Sequence, residues 1–95
     1  MSELNESTVV VSAEDTLSTT LDGESVLLQT SSGTYFGFNQ VGTHIWELLS
    51  EPHSVEQVTQ SVVEQYDVER PRCQADIESL LSELIEKELV RVVHE

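Results

Sequence analysis

Positive charge is what this sequence has least of: four Lys and Arg stand against 18 Asp and Glu, a formal net charge of −14. A surface of that sign repels phosphate backbones and lacks the counterion-release term that drives most nucleic-acid binding, so DNA and RNA are poor partners and a basic protein surface a better one. The same acids also keep a small protein soluble, and charge alone names no function. Cysteine is nearly missing as well. Cys73 stands alone, so no intramolecular disulfide forms, the apolar core has to carry the fold, and a reducing cytoplasm is the natural setting. No apolar run approaches the roughly 20 residues of a membrane span. Residues 1–7 are acidic and polar, without the basic start and apolar run of a secretory signal. A soluble, intracellular protein is expected. Ninety-five residues suit a single domain with one modest core, loose over residues 1–8, and leave no room for a cofactor-binding module beside it.

Convergent catalytic groups are also lacking. His44, His53 and His94 are the only imidazoles, and none lies three or four residues from another His or from Cys73, so a zinc site has no local nucleus. Cys73 falls on the apolar side of a helical pattern, where packing explains it better than nucleophilic duty. Gly33, Gly37 and Gly42 do not make a phosphate loop, because the Lys and the preceding buried strand are missing. No enzyme activity, metal or cofactor is implied.

What is present is a clear change of period. From about residue 16 to 38, Leu17, Thr19 and Leu21 alternate with polar neighbours, Asp22-Gly23 marks a turn, Val26-Leu27-Leu28 continues, and Ser31-Ser32-Gly33 marks a second turn before Thr34–Phe38. This reads as a three-stranded antiparallel meander. Beyond it Val41, Ile45, Leu48 and Leu49 form one face of a helix with Asn39 as its N-cap, stopped by Glu51-Pro52. Ser54 and Gln57 have capping-box spacing ahead of Val55, Val58, Val62 and Tyr66, a second helix to about Gln65. Pro71 opens a third helix to about Lys87, with Cys73, Ile77, Leu80, Leu81, Leu84 and Ile85 on its apolar face, and residues 89–93 suit a short terminal strand. Strands followed by helices make an α+β domain of winged helix-turn-helix type. Trp46, on the first helix, reads as core packing.

Two features point to binding. In the strand Thr34–Phe38, residues Tyr35 and Gly37 project opposite to Thr34, Phe36 and Phe38, leaving one aromatic beside bare backbone on one face. At a sheet edge such a strand is a template for an extended peptide; in a sheet interior it is an ordinary core strand with a glycine bulge. On the third helix the apolar arc spans roughly 140°, wider than one neighbour needs. Cys73, Asp76 and Leu80 sit at one margin of it, where they could line a groove and offer a carboxylate to a basic ligand side chain, although an acid in a first helical turn also suits the macrodipole.

From Phe36, Gly37, Phe38 and Asn39 through Gly42 to Ile45 and Trp46, the chain follows a pattern of aromatic, Gly, bulky apolar, Asn, then Gly, apolar and Trp at fixed spacing. This resembles the PqqD-like leader-recognition domains of ribosomal peptide natural-product pathways. The likeness extends over about residues 9–93, through Val26-Leu27-Leu28, Val55-Glu56-Gln57-Val58, Asp76-Ile77, Leu80-Leu81-Ser82-Glu83-Leu84 and Leu89-Val90, and departs at Glu88, where a Gly is common. The resemblance implies a non-catalytic adaptor with a winged-helix-like fold and no cofactor. It implies that the backbone of Thr34, Tyr35, Phe36, Gly37 and Phe38 pairs with a leader peptide, and that Cys73, Asp76, Ile77 and Leu80 line the side-chain groove. A free-standing chain of this size looks most like the lasso-peptide leader-binding proteins, which present a precursor to a leader peptidase or another modifying enzyme. PqqD proper, serving a radical SAM enzyme, is the near alternative. Two rivals come from other classes. A winged-helix transcription factor needs a basic recognition helix, whereas residues 71–87 hold only Arg72 and Lys87 against Asp76, Glu78, Glu83 and Glu86. A regulatory subunit would bind an enzyme without any peptide.

Overall fold

Alternating β-branched and polar residues produce the expected meander. In the computed structural model, which describes residues 4–14, 16–22, 24–30 and 32–93, β2 (Thr16–Leu21), β3 (Glu24–Gln29) and β4 (Thr34–Phe38) form an antiparallel sheet in the order β2-β3-β4. Leu27 pairs with Ser18 on one side and Phe36 on the other, which fixes the register. Gly23 and Ser31, within the expected turns, lie outside the described residues. Their flanks show turn geometry: Asp22 has φ 53° and Gly33 φ 72°. A second sheet was not anticipated. β1 (Val9–Ser12) pairs antiparallel with β5 (His53–Ser54) and with β6 (Val90–Val92), so the strand expected near the C-terminus closes onto the start of the chain.

The helices follow their caps. Asn39 accepts the Gly42 N–H at 2.9 Å and starts α1 (Gln40–Leu48). Ser54 accepts the Gln57 N–H at 3.1 Å while the Gln57 side chain accepts the Ser54 N–H at 2.9 Å, a complete capping box for α2 (Val55–Gln65). α3 (Arg70–Glu86) begins one residue before Pro71, uncapped by a side chain, with the Arg70 guanidinium donating to Gln60 of α2. At its far end the Leu89 N–H reaches the Leu84 carbonyl at 2.9 Å and the Glu88 N–H the Ile85 carbonyl at 3.0 Å. That is a Schellman closure, and it places Glu88 at φ 62° in the left-handed region.

The core lies where the helices meet both sheets: Val10, Leu27, Leu49, Val55, Val58, Leu81, Leu84 and Leu89 are buried. Trp46 joins them as expected, its indole stacked on Phe38 with ring centroids 5.9 Å apart. Polar ties fix the sheet to the helices. The Ser25 N–H donates to Thr43 Oγ1 at 2.8 Å, and Gln29 Nε2 donates to the Glu88 carbonyl at 3.3 Å.

The left-handed Glu88 carries a backbone cost of about 1–2 kcal/mol that glycine does not have, set against glycine's larger folding entropy. Glu88→Gly should therefore stabilise the protein by about 1 kcal/mol, raising the thermal midpoint by roughly 4–8 °C. Glu88→Ala, which keeps the Cβ, should not reproduce the gain. Thermal unfolding followed by circular dichroism checks both.

Candidate functional site

β4 is the edge of its sheet. β3 pairs with one side of it, and among the described residues no strand pairs with the other. Every second residue of an antiparallel edge strand turns its N–H and C=O away from the ladder, so β4 presents an open backbone row. Its side chains alternate as the sequence suggests. Phe36 and Phe38 turn inward with ring centroids 5.1 Å apart, while Tyr35, 71% exposed, and Gly37 face outward.

Opposite this edge runs α3. Cys73, Asp76, Ile77 and Leu80 recur at helical spacing on the side that faces β4, and the space between is an open groove of about 820 Å³. Its floor is apolar: Phe38, Ile45, Val62 and Ile77, all also part of the core. Its charged lining among the described residues is Asp67, Glu69 and Asp76 against Arg72, so the groove favours a cationic group. Burial pushes the Cys73 thiol up from its ordinary value, Asp76 adds to the shift and Arg70 opposes it. A thiol raised above its ordinary value is uncharged at pH 7, so Cys73 adds to the apolar lining of the groove.

α1 is held against the groove floor by an absence of side chain. A Cβ on Gly42 would lie 2.9 Å from Phe38 Cδ1 and 3.0 Å from Phe38 Cβ. Gly42 thus lets the helix approach the strand closely enough for Phe38 to reach Trp46.

Phe36, Gly37, Phe38, Cys73, Asp76, Ile77 and Leu80, all singled out in the sequence, line this one groove. Tyr35 belongs to the same strand but to the opposite face. Thr34 contributes its backbone to β4, and its side chain lies outside the described residues. Sequence reasoning missed Val41, Ile45, Val62, Val68 and Arg72 as lining. Val41 and Ile45 share the apolar stripe of α1, which signals burial but not the cavity it borders. The imidazoles are engaged elsewhere: His44 Nε2 bonds Ser61 Oγ at 2.8 Å, His53 Nδ1 contacts the Glu51 carbonyl at 2.9 Å, and His94 lies outside the described residues. Among the described residues no three His, Cys, Asp or Glu side chains gather as a metal site would require, and no helix is long and apolar enough to cross a membrane.

The profile of one protein family, described as Coenzyme PQQ synthesis protein D (PqqD), matches residues 24–90, from the start of β3 to the first residue of β6. The chain belongs to the PqqD family. Solved structures agree in fold. A structure of TbiB1 in complex with the TbiA(beta) leader peptide shares 34% identity at a TM-score of 0.81, covering 90% of this chain and 99% of that one. A lasso peptide synthetase B1 complexed with the leader peptide shares 28% at a TM-score of 0.76, covering 86% and 96%. Among curated proteins, none matches this sequence. This PqqD-family member is thus similar over nearly its whole length to two proteins solved with a leader peptide bound.

Because Gly42 of this PqqD-family chain sits against the Phe38 ring base rather than a mobile tip, Gly42→Ala should force β4 and α1 apart. A destabilisation of about 1–3 kcal/mol is expected, as for overpacking a close-packed site. Urea unfolding measures it, and wild-type stability would show that the strand–helix approach is not tight.

Proposed function

We propose that this PqqD-family protein is a non-catalytic adaptor that binds the leader peptide of a ribosomally synthesised precursor as a strand added to β4. It then delivers the precursor to a leader peptidase or other modifying enzyme in lasso-peptide biosynthesis. One observation carries the reading: a strand edge that no described strand pairs faces an apolar groove on α3, in a fold shared with two proteins solved with leader peptides, one of them a lasso peptide synthetase B1. Strand addition supplies affinity through main-chain hydrogen bonds that any sequence can make. Specificity then falls to alternate side chains entering the groove, where Phe36, Ile77 and Leu80 offer apolar contact and Asp76 a counter-charge. Tethering a precursor in this way raises its effective concentration at the partner enzyme without any chemistry by the adaptor itself.

The winged-helix alternative loses on charge. α3, which would be the recognition helix, holds Arg70 and Arg72 against Asp76, Glu78, Glu83 and Glu86, the wrong balance for a phosphate backbone.

Two variants test the site. Gly37→Pro removes one N–H from β4, at a position where an added side chain meets nothing within 4 Å; leader binding should be abolished while circular dichroism remains native. Leu80→Ala should weaken binding by about 1–3 kcal/mol, the loss of one buried anchor. Isothermal titration with a synthetic leader reads both, and native affinity in a folded Gly37→Pro variant would place the peptide elsewhere.

A further inference from the structure

Main-chain pairing at the edge of β4 leaves the register of an added strand open. Such a strand can slip by two residues and keep the same side chains toward α3, because alternate residues share a face and every backbone offers the same donors and acceptors. The apolar floor of Phe38, Ile45, Val62 and Ile77 discriminates weakly between registers, since apolar contact is non-directional. Charge discriminates better, because it is unevenly placed along the groove. Gln29, opposite Thr34 in the sheet, donates to the Glu88 carbonyl just past α3, so the helix ends beside the start of β4. Its first turns therefore lie toward Phe38, where Val62 of α2 and the connector residues Asp67 and Glu69 also line the space. At that end the charged lining is Asp67, Glu69 and Asp76 against Arg72. At the Thr34 end the sign changes. Lys87, which closes α3, holds its amine 6.0 Å from the centre of the Phe36 ring, a groove residue, and none of its neighbours Glu83, Glu86 and Glu88 lines the groove.

We infer that the groove reads a leader by charge at both ends: a Lys or Arg of the peptide meets Asp76 at the Phe38 end, a peptide carboxylate meets Lys87 at the Thr34 end, and the two contacts together set the register. The inference rests on the adaptor reading and narrows the class of peptide that the site takes. From Asp76 to Lys87 the helix rises about 16 Å at about 1.5 Å per residue, a length that about five residues of extended chain span. Because alternate residues face the groove, the two charged residues of the peptide stand about four or six positions apart. A slip of two residues carries both charges about 7 Å from their partners, beyond contact. The pairs of this sheet are antiparallel. A strand that continues the pattern runs opposite to β4, so its basic residue precedes its acid. A lysine at the end of a helix also suits the macrodipole, so loss of affinity on its replacement does not by itself decide the matter. Coupling to one particular peptide residue does.

The test is a pair of double-mutant cycles, read by fluorescence anisotropy with a labelled synthetic leader of the cognate precursor, circular dichroism confirming the fold of each protein variant. Asp76→Asn and Lys87→Gln are each combined with peptides in which the basic or the acidic residue is replaced by glutamine. Each single change should weaken binding about three- to five-fold, as for the stronger exposed ion pairs. Asp76→Asn should cost nothing further on the peptide without its basic residue, yet keep its full effect on the peptide without its acid. Lys87→Gln should show the reverse pattern. Moving the peptide's acid by one position, onto the other face of the strand, should remove its coupling to Lys87. A parent protein that binds the leader with no coupling in either cycle, or with the couplings exchanged between the two ends, overturns the inference. So does a leader that binds but carries no basic residue ahead of an acid at this spacing. A parent that does not bind the leader at all counts against the adaptor reading itself, and the charge reading falls with it.

Discussion

The contact of Phe38 with Gly42 and Trp46 is the constraint on which the arrangement of strand and helix depends. β4 and α1 are separated by one residue, Asn39, whose side chain caps the helix. The chain must therefore turn sharply from extended to helical backbone while Phe38 stays under the helix it has just entered. That is possible only because Gly42 lacks a Cβ where the Phe38 ring lies. With Phe38 fixed on Trp46, β4 is anchored through its inner face and through β3, and its outer edge needs no partner for the fold to hold. On the proposed reading, an edge strand held in place in this way is preorganised for a ligand strand, and binding need not spend energy ordering it.

A free edge is also a hazard, since any extended chain can pair with it. Two features of the protein limit this. The edge lies beside α3 across the groove, and the helix stands where a second sheet would have to approach. In addition, a net charge of −14 on every copy opposes edge-to-edge association between copies. The acidity that looks like mere solubility in composition thus has a more specific effect beside an open strand, because it discourages pairing with like chains while tolerating a basic ligand.

Local signals were legible in the sequence and distant ones were not. Asn39 and the Ser54–Gln57 box set the starts of α1 and α2 as expected, because caps are written within a few residues of the helix they begin. The sheet formed by β1, β5 and β6 escaped notice because Val10 finds His53 and Val92 far along the chain, and no nearby pattern announces such pairing. The alternation of β2 identified a strand but not which side faces out: Leu17 is exposed, contrary to what hydrophobicity alone suggests. As for the groove, the α3 margin of Cys73, Asp76 and Leu80 was visible from helical geometry. The contributions of Ile45 and Val62 were not, since a side chain can be core and cavity floor at once. Periodicity left open whether Thr34–Phe38 was an edge, and the family resemblance selected the answer that the topology bears out.

The departure at Glu88 separates what the fold requires from what binding requires. α3 ends in a closure that demands a left-handed residue, and a glutamate occupies it at an energetic cost. The closure survives because Leu89 is buried behind it and the Glu88 carbonyl accepts from Gln29 of β3, so tertiary contacts hold the backbone where local preference would not. Those same contacts tie the end of α3 to the sheet that carries β4. The two walls of the groove are therefore joined beyond it through a left-handed residue, and a glutamate there lowers the margin of stability with which they are held.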